Sequence, residues 1–185
     1  VLVHRAKEYL QKTKHSKLED SVSKSKQKKF SFRPLQREII YAILEHFKDV
    51  FYMLVTGAGK TLPYVLAAKY CNDNIAAAGK KPFFLVLVPR KATRDDLVRK
   101  CKNYLKHARN GCYMLQAQGD TSYRRKDDYL QSIYDEIDKN EPCLVICTPQ
   151  LITKNVEVRE QLARFSERGK MHGIVFDEAS EIAHS

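Results

Sequence analysis

No apolar run in the chain approaches the roughly 20 residues that cross a bilayer, so a helical membrane protein is not expected. The opening Val1-Leu2-Val3-His4-Arg5 also lacks the apolar core of a secretory leader. The cysteines are few and scattered: Cys71, Cys101, Cys112, Cys143 and Cys147 are odd in number and never form a Cys-x-x-Cys pair. That spacing argues against a disulfide framework and against a zinc site, and for reduced, mostly buried thiols of an intracellular protein. What the chain does have is basic charge, +11 from 33 Lys+Arg against 22 Asp+Glu, and 43% apolar residues over 185 positions. These proportions suit one soluble domain with a sizeable core.

The charge is unevenly placed. Residues 1–31 hold nine Lys/Arg and three acids, for a net +6, and include the Ser/Lys-rich run from Ser21 to Lys29. Such a segment cannot bury a core of its own and reads as a basic linker, with a short helix over residues 2–10. It serves solubility, nuclear targeting or nonspecific phosphate binding. From Phe32 onward the pattern changes. Phe51-Tyr52-Met53-Leu54-Val55, Phe83 to Val88, Cys143 to Cys147 and Gly173-Ile174-Val175-Phe176 are short, nearly continuous apolar runs, as strands buried on both faces require. Cys112-Tyr113-Met114-Leu115 is a weaker fifth. Between them, residues 36–47, 93–105 and 129–137 repeat apolar positions at helical spacing. Alternation of this kind predicts a doubly wound α/β fold around a parallel sheet, with ligands at the carboxyl ends of the strands.

Two strand ends carry chemistry. The first is Thr56-Gly57-Ala58-Gly59-Lys60-Thr61, between an apolar run and an apolar helical stretch that begins at Leu62. Glycines allow the tight turn that aims backbone N–H groups at phosphate oxygens, and the following helix N-terminus adds its dipole. Lys60 would bridge the β- and γ-phosphates of ATP, and the Thr61 hydroxyl would ligate Mg²⁺. The full P-loop pattern places a glycine where Leu54 stands. The second is Ile174-Val175-Phe176-Asp177-Glu178-Ala179, an apolar strand that ends in two carboxylates 117 residues after Lys60. There Asp177 would hold Mg²⁺ through water and Glu178 would polarise the attacking water.

The combination resembles the first RecA-like domain of a superfamily 2 helicase, and within that group the RecQ family, Bloom-type enzymes included. Phe32-Arg33-Pro34-Leu35-Gln36 is similar to the adenine-recognition motif, and residues 56–61 to motif I. Val88-Pro89-Arg90-Lys91-Ala92-Thr93 is similar to motif Ia, Cys147-Thr148-Pro149-Gln150 to motif Ib, and Asp177-Glu178-Ala179-Ser180 to motif II. Ser180 stands in the place of that family's motif II histidine, Val55 in the place of a proline, and Arg90 and Lys91 in the place of apolar residues. The aromatic loop with tryptophan that follows motif II in the family has no counterpart, since the chain contains no tryptophan.

Beyond the basic linker or extension of residues 1–31, the resemblance implies an N-terminal motor lobe over 32–185, incomplete at its C-terminal end. It implies that Arg33 and Gln36 recognise adenine, that residues 56–61 hold ATP with Mg²⁺, and that Lys60, Asp177 and Glu178 drive hydrolysis. Single-stranded or forked DNA would meet Arg90, Lys91, Arg94, Thr148 and Gln150. The intact motor would be a nuclear or cytoplasmic 3′–5′ DNA helicase, completed by a second RecA-like lobe absent from this chain, which by itself would be a monomer. Two alternatives stay open: a DEAD-box-like RNA helicase lobe, and a noncatalytic nucleic-acid-binding or scaffold module derived from a helicase.

Overall fold

The structure, a computed structural model, describes residues 32–45, 49–55, 57–75, 81–105, 111–115 and 134–179. The expected linker and helix within 1–31, Thr56, residues 129–133 and Ser180 lie outside them. Contacts divide the chain into two compact units, Val1–Tyr70 and Cys71–Ser185.

In the first unit, helix α1 (Gln36–Glu45) packs its apolar stripe on the opening turns of helix α2 (Thr61–Asn74). Ile40, Leu62 and Leu66 form the buried centre, with Phe32, Tyr41 and Leu44 against it. Pro63 falls in the first turn of α2, where a missing N–H costs no helical hydrogen bond.

One expectation is corrected here. The run 51–55 forms no strand, and its alternate side chains Phe51, Met53 and Val55 are 82%, 82% and 80% exposed. A strand needs a ladder partner for its N–H and C=O groups, and no described residue of this unit supplies one. Apolar, β-prone composition alone therefore does not make a strand of this segment.

The second unit is a four-stranded sheet in the order β2-β3-β1-β4, from β1 (Phe83–Leu87), β2 (Cys112–Met114), β3 (Leu144–Cys147) and β4 (Met171–Phe176). Every pairing is parallel, so each strand must be reached by a crossover. The crossovers are α3 (Lys91–Tyr104), α4 (helical at 134–140), α5 (Pro149–Lys154) and α6 (Val156–Glu167). β1 and β3 are buried along their whole length, as their unbroken apolar sequences require. Phe83, Leu85 and Leu87 of β1 and Val145 and Cys147 of β3 share one face with Tyr134, Ile137, Leu151, Val158, Leu162 and Phe165 from α4, α5 and α6. Within that cluster Phe83 and Phe165 meet edge to face, with ring centroids 5.6 Å apart.

Helix α3 buries Arg94, Leu97, Val98 and Cys101, one stripe at helical spacing. Helix α6 begins at Asn155, whose side chain accepts from the Val158 N–H at 3.2 Å. Two buried polar groups tie loops to the sheet. The Asn72 amide donates to the carbonyls of Pro82 (3.0 Å), Glu141 (3.1 Å) and Pro142 (3.3 Å). The Lys170 ammonium, 3% exposed, pairs with Asp138.

None of the five cysteines is joined in a disulfide. Cys71, Cys101, Cys143 and Cys147 are buried and Cys112 is half-buried, which matches the expectation that the thiols are mostly buried. Burial pushes Cys71 and Cys147 up to about 12.

Candidate functional site

Residues 57–61 make the turn that the glycine spacing implies. Gly57 and Gly59 adopt φ of +82° and +84°, a region closed to most side chains. The turn is closed by a hydrogen bond from Ala58 N–H to Val55 C=O at 3.1 Å, and α2 starts at Thr61. The carbonyls of this loop are held by side chains outside it. Arg33 donates to Gly57 C=O, and the Gln36 amide nitrogen donates to Gly59 C=O at 3.0 Å and, at 3.4 Å, to Ala58 C=O. Tyr52 O–H donates to Lys60 C=O at 2.8 Å. With four consecutive carbonyls engaged, the loop keeps its acceptors occupied. The N–H groups of Gly59 and Lys60 have no backbone acceptor among the described residues. Such a turn, at the start of a helix, offers donors and a favourable dipole to an anion.

Gln36 is 3% exposed, and its amide is used at both ends, since its carbonyl oxygen accepts from Arg33 N–H at 2.9 Å. The side chain that sequence assigns to an adenine edge is here the brace of the glycine turn. Leu35, at φ +68°, makes the sharp approach that carries Gln36 into place. The fit at Gly59 is close: a Cβ there would lie 2.5 Å from the Gln36 amide nitrogen. Tyr52 is the residue that sequence reasoning missed. It stood inside a run read as a strand, where a phenol is simply one more β-prone side chain.

In the second unit the remaining candidates gather along one edge of the sheet, because parallel strands all end on the same side. Arg90 and Lys91 follow β1, Thr148 and Gln150 follow β3, and Asp177 and Glu178 follow β4. Hydrogen bonds from Val88 N–H to Cys147 C=O (3.0 Å) and from Asp177 N–H to Leu87 C=O (2.9 Å) hold the three strand ends level. Asp177 is half-buried and Glu178 exposed, with Glu178 in the left-handed region at φ +57°. A non-glycine residue held there stores strain of the kind that collects at functional turns.

Arg90 caps the N-terminus of α3 through extended backbone, and it and Lys91 are exposed. Arg94 is placed differently from a solvent-facing phosphate contact. Its side chain is 6% exposed and pairs with Asp95 at 3.0 Å. Further along α3, Arg99 and Lys100 both reach Asp96 at 2.5 Å, and these two partners, Lys100 first, hold the Asp96 carboxyl below its usual range. Three cations of α3, Arg94, Arg99 and Lys100, are thus matched by acids of the same helix. Thr148 is the N-cap position of α5 and makes no side-chain cap bond, and Pro149 fills the first helical position. No group of three His, Cys, Asp or Glu side chains capable of caging a metal occurs among the described residues. A hydroxyl such as that of Thr61 in the first unit, and a carboxylate such as that of Asp177 in the second, are each oxygen ligands of the kind a hard cation takes.

Comparison with known proteins matches residues 33–185 to the DEAD/DEAH box helicase family model. Over 149 residues, 80% of the chain, it is 30% identical to the mouse protein named ATP-dependent DNA helicase Q1, and 28% identical to the rat protein of that name. It is 27% identical over 153 residues to the yeast protein named ATP-dependent helicase SGS1. The chain spans about a fifth of the length of the helicase Q1 relatives and 9% of the yeast protein.

Proposed function

We propose that this chain, which belongs to the DEAD/DEAH box helicase family, is the ATP-binding N-terminal motor lobe of a RecQ-type, ATP-dependent 3′–5′ DNA helicase. The observation that carries this reading is the glycine turn with its carbonyls occupied and its N–H groups left for an anion. In that role Gly57, Ala58, Gly59 and Thr56 cradle the triphosphate, Lys60 neutralises its terminal charge, and the Thr61 hydroxyl takes one Mg²⁺ position. Asp177 would help hold the metal and Glu178 would orient the attacking water. When bound there, Mg²⁺ would supply neutralisation of charge on the transferring phosphoryl group. Arg33 and Gln36 serve the base end of the nucleotide as well as the turn. Reading adenine with the Gln36 amide requires it to exchange a loop carbonyl for the base.

The exposed Arg90 and Lys91, with Thr148 and Gln150, are the proposed contacts to a DNA phosphate backbone, a salt-dependent interaction. Relatives named DNA helicases support DNA over RNA as substrate. A second RecA-like lobe is the proposed partner for rapid turnover, because arginines brought from outside raise phosphoryl-transfer rates by roughly 10³ or more. A nuclear location accords with that role. The test is calorimetric titration of the chain with ATP and Mg²⁺, beside Lys60→Ala. Binding by the wild type and its loss in the variant is the expected result. Equal binding, or none by either, refutes the reading.

A further inference from the structure

Cys101 and Cys112 come from different elements, the last turns of α3 and the first residue of β2, yet they are neighbours: Cys112 is the group that acts most strongly on the Cys101 thiol. Backbone packing enforces the approach. Leu105, which caps α3, is 3% exposed and lies against Gly111, where an added Cβ would fall 2.7 Å from the Leu105 Cβ. Gly111 is pinned in turn, its carbonyl accepting from Leu144 N–H at 3.3 Å, and β2 continues in register on β3 with Cys112 opposite Leu144. The two thiols also differ in access: Cys101 is fully buried, whereas Cys112 is half-buried on the outermost strand.

We propose that Cys101 and Cys112 form an oxidisable dithiol, a modification site at which a small disulfide such as oxidised glutathione converts the pair to an intramolecular disulfide. The accessible Cys112 reacts first. Having lost its proton to solvent, its thiolate attacks one sulfur of oxidised glutathione and displaces a glutathione thiolate, which takes up a proton. Cys101 then gives up its proton and attacks the Cys112 sulfur of the mixed disulfide, expelling the second glutathione. Two protein thiols are oxidised and one disulfide is reduced to two thiols. The order fits the surroundings, because hydrogen bonding to Cys112 and then burial push Cys101 up and make it a poor first nucleophile. The other thiols do not compete, since Cys71, Cys143 and Cys147 are buried. The bond would staple α3 to β2, and the Asp177 carboxylate is near enough for its charge to act on Cys101. Redox state would thereby reach the edge that carries the candidate DNA and metal residues.

The test exposes the folded chain to oxidised glutathione, blocks remaining thiols with a maleimide and maps peptides without reduction. The expected product is a cross-link between the Cys101 and Cys112 peptides, with a mass lower by two hydrogens and full reversal by dithiothreitol. Cys101→Ser should stop at glutathione on Cys112, and Cys112→Ser should leave Cys101 unreacted. Wild-type protein that keeps glutathione on Cys112, leaves both thiols open to maleimide after denaturation, or links either to another cysteine overturns the proposal. The wild-type map decides even if a variant fails to fold.

Discussion

Replacing Gly59 by alanine separates two costs that usually arrive together. At φ +84° any L side chain is strained, by about 1 kcal/mol. Gly57, at φ +82° with nothing within 4 Å of an added Cβ, carries that strain alone. At Gly59 the methyl group would also fall 2.5 Å from the Gln36 amide nitrogen. Gln36 must then leave a buried position and give up its bonds to Gly59 C=O and Ala58 C=O, at about 1 kcal/mol each. The expected destabilisation is about 1 kcal/mol for Gly57→Ala and about 3 kcal/mol for Gly59→Ala. Urea unfolding followed by circular dichroism or tyrosine fluorescence measures both. In a Gln36→Ala background the clash is gone, so Gly59→Ala should then cost only about 1 kcal/mol, a coupling of about 2 kcal/mol. Equal costs at the two glycines, or a Gly59→Ala cost that Gln36→Ala does not reduce, would refute the bracing of this turn by Gln36.

Other expectations follow from single contacts. His172, half-buried and stacked on Phe84 at 5.7 Å, has its pKa lowered by desolvation. Its folded value lies below the unfolded one, so its contribution is complete above about pH 6.5 and is lost as acid protonates the unfolded chain. Melting temperature should fall more steeply below that pH in the wild type than in His172→Phe; parallel curves would exclude His172 as the cause. Asp138→Ala leaves the buried Lys170 ammonium without its carboxylate and should cost about 3 kcal/mol, whereas Lys170→Met should be close to neutral. Denaturant midpoints in the reverse order would contradict that asymmetry. Asn155→Ala removes the cap of α6 and should cost about 1 kcal/mol, with Asn155→Asp retaining most of it, as denaturant titration would show.

The two central strands, β1 and β3, were legible because a strand buried on both faces has no polar alternation to hide it, as Phe83 to Leu87 illustrates. The same rule misassigned residues 51–55. Apolar composition reports a tendency to extend, and pairing depends on a neighbour that local sequence does not contain. Helix α6 went unassigned although Val158, Leu162 and Phe165 lie at helical spacing behind a capping Asn155. At the candidate site, positive φ at Gly57 and Gly59 was legible from chemistry, since the turn tolerates little else. The bracing by Arg33, Gln36 and Tyr52 was not, because side-chain bonds to backbone carbonyls leave no periodic trace. The basic residues of α3 are plain in the sequence, but Asp95 and Asp96 hold Arg94, Arg99 and Lys100 in ion pairs, a pairing that charge totals conceal.

The occupied carbonyls of residues 57–60 have a consequence for natural variation. The donors that would grip a phosphate belong to the glycine turn, yet the shape that frees them is maintained by three side chains at positions 33, 36 and 52. A chain could keep Gly57, Gly59, Lys60 and Thr61 letter for letter and still lose its anion site through Tyr52→Phe or Arg33→Ala. Inheritance of the motif and inheritance of the function are therefore separable here, and harmful substitutions should cluster in residues that no phosphate ever touches.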